Sequence, residues 1–169
     1  MITKYFKKVL KYRKVYVEQY NDQFLISDAD VLLKVSPTLK LFKDQKLFPE
    51  LPTDGKCYTY KKDFFHQDGP VLKNLINVND NDVKEIYPKP WQYYNYVLFR
   101  QGQKFLFVNK DFLELIKPPY TAYSEGSSRS PIFFVEKDCA ISEESCFAII
   151  MPIRVTVETK FPNIGELIE

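Results

Sequence analysis

The apolar run from Cys146 to Val155 is the segment that most restricts how this chain can fold. Its length and its content of Ile, Phe and Val are typical of a buried β-strand. Pro152 interrupts the run, and a proline has no N–H to donate to a neighbouring strand. We therefore expect Pro152 to lie at a sheet edge, a bulge or a strand end, where the backbone is open to a partner other than another strand.

The composition favours a sheet-rich domain. The chain has 169 residues, enough for one domain or two very small ones, with 14 Phe and 12 Tyr but only five Gly. No Gly-rich loop follows a predicted strand, which argues against a phosphate-cradling enzyme. The longest uncharged apolar stretch, Phe147 to Ile153, is too short to span a membrane, and the amino-terminal residues lack the apolar core of a signal peptide.

Cysteine usage predicts a cytoplasmic protein. Cys57, Cys139 and Cys146 are odd in number and form no CxxC pair. We expect them to be reduced thiols, as in the cytosol.

The positive charge is concentrated at the amino end. The whole chain has a net charge of +2, yet residues 1–14 contain no acid and carry these cations: Lys4, Lys7, Lys8, Lys11, Arg13 and Lys14. Such asymmetry indicates a local contact with a polyanion, and a solvated helix face is the alternative.

The periodicity of apolar residues predicts two helices separated by strands. Residues 3–12 form an amphipathic helix with its lysines on one face, and a second helix follows at residues 110–117. The predicted strands are residues 14–20, 23–27, 31–35, 94–100, 103–108, 120–124, 131–136 and 146–156.

This order repeats, which predicts an α+β fold. A helix followed by three strands occurs at residues 3–36 and again at 109–156, so we expect two such units related by pseudo-twofold symmetry. We treat residues 1–169 as a single domain, made of a first half (1–36), a central insertion with irregular structure alone or with one hairpin (37–92), a second half (93–158) and a tail (159–169).

Short motifs resemble the DNA sliding clamp, the beta subunit of DNA polymerase III. Ala148 to Val155 is similar to the closing strand of that family, which ends in Met-Pro-Met-Arg-Leu. Segments 103–116 and 130–136 resemble the strand, helix and strand before it, and Leu25 to Val35 is similar to a strand-turn-strand of the family. A clamp domain contains two helix-plus-strands units.

The resemblance implies two binding surfaces. The inner helices of the family face double-stranded DNA, which assigns weak, non-specific DNA contact to Lys4, Lys7, Lys8, Lys11, Arg13, Lys14, Lys110 and Lys117. The family's groove for the short clamp-binding peptides of replication proteins corresponds here to Leu32, Leu33, Ile150, Met151, Pro152, Ile153 and Arg154.

This chain also departs from the family. A ring needs six domains, so this chain would need a homohexamer to close one. The strand before the first helix is missing, the insertion has no counterpart, and no histidine occupies the Asp28 to Leu33 turn. Both groove elements lie in one domain, so a groove would form between protomers or be incomplete.

We therefore expect a non-enzymatic, sliding-clamp-like replication accessory protein, of a kind that suits a phage or plasmid gene. A clamp-mimicking module that binds peptides without touching DNA is the alternative, as is an α+β protein of other function whose closing strand is core.

No constellation of residues predicts catalysis, a metal or a cofactor. His66 and Cys57 have no orienting acid at a fixed spacing. Residues 80–82 lack the spacing and the glycine of a calcium loop. The aromatic run 93–96 is typical of cross-strand packing, with base stacking as the alternative.

Overall fold

The computed structural model describes residues 1–53, 55–93, 95–127 and 129–153, and it describes only the backbone of residues 90–93. The chain divides into two compact units, Met1–Val78 and a second unit that begins at Asn79. The division falls inside the segment predicted as an insertion.

The first unit is an antiparallel sheet with three short helical segments. Its strands lie in the order β5-β4-β1-β2-β3. The elements are α1 (Ile2–Leu10), β1 (Val15–Tyr20), β2 (Gln23–Ser27), β3 (Val31–Val35), a 3₁₀ helix (Lys40–Lys43), β4 (Cys57–Lys61), β5 (Phe64–His66) and α2 (Lys73–Ile76).

The core of this unit is aliphatic at the hairpin and aromatic beside it. Val17 pairs with Ile26 across β1 and β2, and both are fully buried. Three ring contacts continue the core, with centroids 5.2 Å apart for Phe24 and Phe42, 5.3 Å for Phe42 and Phe48, and 4.7 Å for Phe48 and Tyr60. Rings at these separations add to the stability that their burial provides.

The second unit is also antiparallel, in the order β11-β10-β9-β6-β7-β8. Its elements are β6 (Lys84–Tyr93), β7 (Tyr96–Gln101), β8 (Lys104–Asn109), α3 (Lys110–Leu113), β9 (Tyr120–Ser124), β10 (Ile132–Glu136) and β11 (Cys146–Ile150). Beyond β11 the chain reaches β8, where the Ile153 N–H donates to the Phe107 carbonyl at 2.7 Å.

The predicted α+β fold is wrong, because the protein is mainly β. The described residues hold eleven strands but only three α-helices, of nine, four and four residues. The molecule is therefore not a pair of helix-plus-three-strand units around an irregular insertion. The predicted insertion, residues 37–92, supplies β4, β5 and most of β6.

The second helix is also shorter than predicted. We expected residues 110–117, but α3 ends at Leu113 and the chain continues in tight turns, in which the Leu115 N–H donates to Phe112 and the Ile116 N–H to Leu113. Pro118 disfavours a helical conformation for the residue before it, which limits the last predicted turn.

Other local predictions are confirmed. The first helix, the three strands after it, and the hairpin of β7 and β8 lie within a few residues of their predicted bounds. Gly102 in that hairpin turn has φ +56°, a conformation that glycine adopts readily. The predicted closing strand ends at Ile150, and its predicted residues 154–156 lie outside the described residues.

None of the helices in the described ranges is both long and apolar enough to cross a membrane.

Candidate nucleic-acid interface

Helix α1 presents its lysines because its apolar face is packed away. Phe6, Val9 and Leu10 are buried, whereas Lys4, Lys8 and Lys11 are exposed. Residues three and four apart share a helix face, so burying one stripe directs the other outward.

A buried carboxylate fixes α1 against the turn between β2 and β3. The Asp28 side chain is fully buried, and its Oδ2 accepts hydrogen bonds from the Tyr5 hydroxyl and, at 3.2 Å, from Arg13 Nη2. Its Oδ1 accepts from the backbone N–H groups of Asp30 (3.0 Å) and Val31 (2.9 Å). Burial, with the hydrogen bond to Asp28, raises the pKa of Tyr5 well above its ordinary value. Tyr5 is thus a neutral donor near neutral pH.

Arg13, one of the predicted DNA-binding cations, has an intramolecular role. Its Nη1 lies 2.7 Å from Asp30 Oδ2, in addition to its contact with Asp28. The hydrogen bond to Asp30 raises the pKa of Arg13. Its guanidinium therefore already has two carboxylate partners before any phosphate approaches.

Five lysines line an open groove beside α1. The groove has a volume of about 750 Å³, and its lining is Met1, Thr3, Lys4, Lys7, Lys8, Lys11, Tyr12 and Lys40. Lys40 comes from the 3₁₀ helix, which packs against α1. The structure thus brings together the four lysines predicted for residues 3–12 and adds a fifth.

One ion pair lies at this groove. Lys7 Nζ is 3.5 Å from Asp44 Oδ2, and both side chains are partly exposed (43% and 31%). Among the described residues, no carboxylate lies within 4.0 Å of the ammonium groups of Lys4, Lys8, Lys11 or Lys40. The groove is therefore a strongly cationic surface with a single carboxylate partner at Lys7.

The other predicted DNA-binding residues do not line the groove. Lys14 is exposed just before β1. Lys110 and Lys117 belong to the second unit, at the start of α3 and shortly after it. Lys110 is half-buried and its backbone N–H donates to the Asn95 carbonyl at 2.8 Å, while Lys117 is exposed.

Most of the predicted peptide-binding residues are core residues. Leu32 and Leu33 are each 3% exposed in β3, and Ile150 is fully buried in β11. Pro152 is buried just past the end of β11, which agrees with the rule that excludes proline from a central ladder position.

The remaining members of this set are less enclosed. Met151 and Ile153 are half-buried, and the Ile153 N–H is already used by Phe107. Arg154 lies outside the described residues. Leu32 and Leu33 belong to the first unit and Ile150 to Ile153 to the second.

The cysteine and histidine considered for nucleophilic chemistry have different surroundings. Cys57 is buried in β4, and burial raises the pKa of its thiol to about 12, with the Glu18 carboxylate adding to the effect. A thiol with this pKa holds its proton at neutral pH. His66 is exposed, and its ring makes a T-shaped contact with the Phe64 ring, with centroids 4.2 Å apart. No group of three or more metal-ligating side chains occurs in the part of the chain that the structure describes.

No protein-family model, curated protein or solved structure shows significant similarity to this chain. The resemblance to sliding clamps therefore stays a prediction from short motifs.

Proposed function

We propose that this chain is a non-enzymatic, cytoplasmic protein that binds double-stranded DNA through its phosphates, without reading base sequence, as an accessory to replication. The observation that carries the proposal is the groove of five lysines beside α1, in which only Lys7 has a carboxylate partner within the described residues. The replication role rests on the motif resemblance.

The groove favours an anionic ligand because its cations are close together. Lysines three or four residues apart on one helix face repel each other, and Lys4, Lys7, Lys8 and Lys11 have these spacings. A bound polyanion relieves the repulsion and releases counterions from its own phosphates.

The packing of α1 favours nucleic acid over a membrane surface. An amphipathic helix binds a membrane by inserting its apolar face, but Phe6, Val9 and Leu10 are already buried within the first unit. The exposed side chains within α1 are those of Lys4 and Lys8. Lys4 and Lys11 are seven positions apart, so they lie about 10 Å apart along the helix axis, which matches the rise of about three nucleotides of one DNA strand.

The side chains in the groove favour contact with phosphates rather than bases. Bases are distinguished by Arg or Lys on guanine, by Asn or Gln on adenine and by acidic side chains on cytosine. The groove presents lysines with Met1, Thr3 and Tyr12. Lysine contacts to phosphate position a duplex but carry no sequence information.

The test is a charge reversal on the groove, Lys4→Glu with Lys8→Glu and Lys11→Glu. Fluorescence anisotropy with a labelled duplex of about 20 base pairs would be measured between about 50 and 200 mM salt. With four unpaired lysines, the wild-type slope of log K against log salt should be about −3.6, and two unrelated duplexes should bind equally. The variant should lose at least about tenfold in affinity at the lowest salt.

A matched control changes the same charge elsewhere. Lys84→Glu with Lys104→Glu and Lys137→Glu alters three exposed lysines that do not line the groove. This control should retain most of the affinity. Equal losses in the two triple variants, or no binding by the wild-type protein at the lowest salt, would contradict the proposal.

A further inference from the structure

Asp44 is the carboxylate that touches the lysine groove, and its two oxygens have different tasks. Oδ2 faces Lys7 Nζ at 3.5 Å. Oδ1 accepts hydrogen bonds from the backbone N–H groups of Lys46 (3.2 Å) and Leu47 (3.4 Å). The residue therefore closes the turn after the 3₁₀ helix and also neutralises one cation of the groove.

We propose that Asp44 is an affinity-limiting residue: by holding Lys7 in an ion pair, it removes one cation from phosphate binding and keeps the interaction with DNA weak. This inference rests on the proposed function. A phosphate that approaches Lys7 must compete with a carboxylate already in contact.

The turn does not require the negative charge. Only an oxygen acceptor is needed at the Oδ1 position, and an asparagine side chain supplies one. A partly exposed ion pair such as Lys7–Asp44 adds little to folding stability. The carboxylate can therefore be neutralised with little effect on the turn, which makes its effect on DNA binding separable from its effect on folding.

The test is Asp44→Asn in the full chain, with the same labelled duplex. Releasing Lys7 adds one phosphate contact, so affinity should rise about three- to tenfold at about 50 mM salt, and the salt slope should steepen by about 0.9. Thermal unfolding by circular dichroism reports whether the turn is intact. Asp44→Ser, which keeps a short oxygen acceptor for the turn, serves as a second variant.

Two controls separate the release of Lys7 from a general gain in positive charge. Asp22→Asn makes the same change of net charge in the exposed turn between β1 and β2, outside the lining of the groove. It should change affinity less than about twofold. In a Lys7→Gln background, Asp44→Asn should have at most about half of its effect on the logarithm of affinity, because the cation it releases is gone.

The outcomes distinguish this inference from the proposed function. No DNA binding by the wild-type protein would remove the function and the inference together. Normal wild-type binding with no gain in folded Asp44→Asn or Asp44→Ser would overturn the inference alone. Equal gains in the wild-type and Lys7→Gln backgrounds, or from Asp22→Asn, would do the same.

Discussion

Cys57 shows how the environment of one side chain sets its chemistry. The thiol is packed close to Gly69, where an added Cβ would lie 3.0 Å from Sγ. Burial raises its pKa from 9.0 to about 12. The folded protein therefore holds the thiol proton more tightly than the unfolded chain does.

This difference predicts a loss of stability in alkali. Between about pH 9 and 12 the native state binds more protons at Cys57 than the unfolded state, so the free energy of unfolding falls as pH rises, by at most about 1.4 kcal/mol per pH unit for this group. The effect begins as the unfolded-state thiol titrates around pH 9 and becomes small more than about one pH unit below that value. Tyr5, whose pKa is also raised, adds a decline above its ordinary value of 10.0.

The contribution of the Cys57 thiol can be measured by urea unfolding of the wild-type protein and Cys57→Ala from pH 8 to about 10. The variant should be less stable at pH 8, because it leaves a small cavity, but its stability should fall less steeply with pH. Parallel pH profiles for the two proteins would show that this thiol does not contribute to the decline.

The sequence predicts the cations of the groove but not their carboxylate partners. Local helix geometry places four lysines on one face, and their spacing can be read directly from the sequence: Lys4, Lys7, Lys8 and Lys11. Asp28 and Asp30 reach Arg13 from 15 and 17 residues away, and Asp44 reaches Lys7 from 37 positions away. Only the folded protein brings these groups together, so the carboxylate partners of Arg13 could not be predicted from its place in the basic segment.

Helix α1 depends on its attachment to the turn between β2 and β3. The Tyr5 hydroxyl and the Arg13 guanidinium both donate to Asp28, whose carboxylate has no exposed surface. Buried hydrogen bonds to a charged group contribute more than neutral ones. The position of the lysine face therefore depends on a polar contact as well as on apolar packing.

We predict that Tyr5→Phe lowers the free energy of unfolding by about 1–3 kcal/mol, because it removes a donor from a buried carboxylate. Tyr12→Phe is the matched control on the same segment. Tyr12 is 75% exposed, so the change should be below about 0.5 kcal/mol. Denaturant titration measures both, and a loss in Tyr5→Phe no larger than in Tyr12→Phe would refute the anchoring role.

The elements missed from the sequence lie wholly or mostly in the segment predicted as an insertion, residues 37–92. β4 reads Cys-Tyr-Thr-Tyr-Lys and its first four residues are all buried, so burial does not follow the alternation of polar and apolar side chains in this short run. β6 contains Pro88 and Pro90, residues that argue against a strand, and it pairs with β7 through a register shift between Pro88 and Gln92. Lys40 was not predicted as a groove residue because it also lies in this insertion. The signal that could have identified it is the pair of buried residues, Leu41 and Phe42, that follows it and anchors the 3₁₀ helix.

The low helix content of the protein limits what the clamp motifs imply about its architecture. Sliding-clamp domains pair two helices with their strands, whereas α3 is a single turn. A ring of such domains is therefore no part of the proposed function. What remains testable is whether both units contribute cations to DNA, as the resemblance implies for Lys110 and Lys117.

We predict that Lys110→Glu with Lys117→Glu costs less than about threefold in DNA affinity, because neither residue lines the groove. The measurement is the same anisotropy titration, with Lys4→Glu and Lys8→Glu as a pair of equal charge change. A loss as large as that of the groove pair would extend the DNA-binding surface to the second unit.

The contact between Lys7 and Asp44 also has an evolutionary consequence. On the proposed role of Asp44, a neutral residue at position 44 would give a protein that binds DNA more tightly, whereas a neutral residue at position 7 would leave the Asp44 carboxylate without the ammonium group that it contacts. Among descendants of this sequence, the two positions should mutate in concert, although 36 residues separate them in the chain.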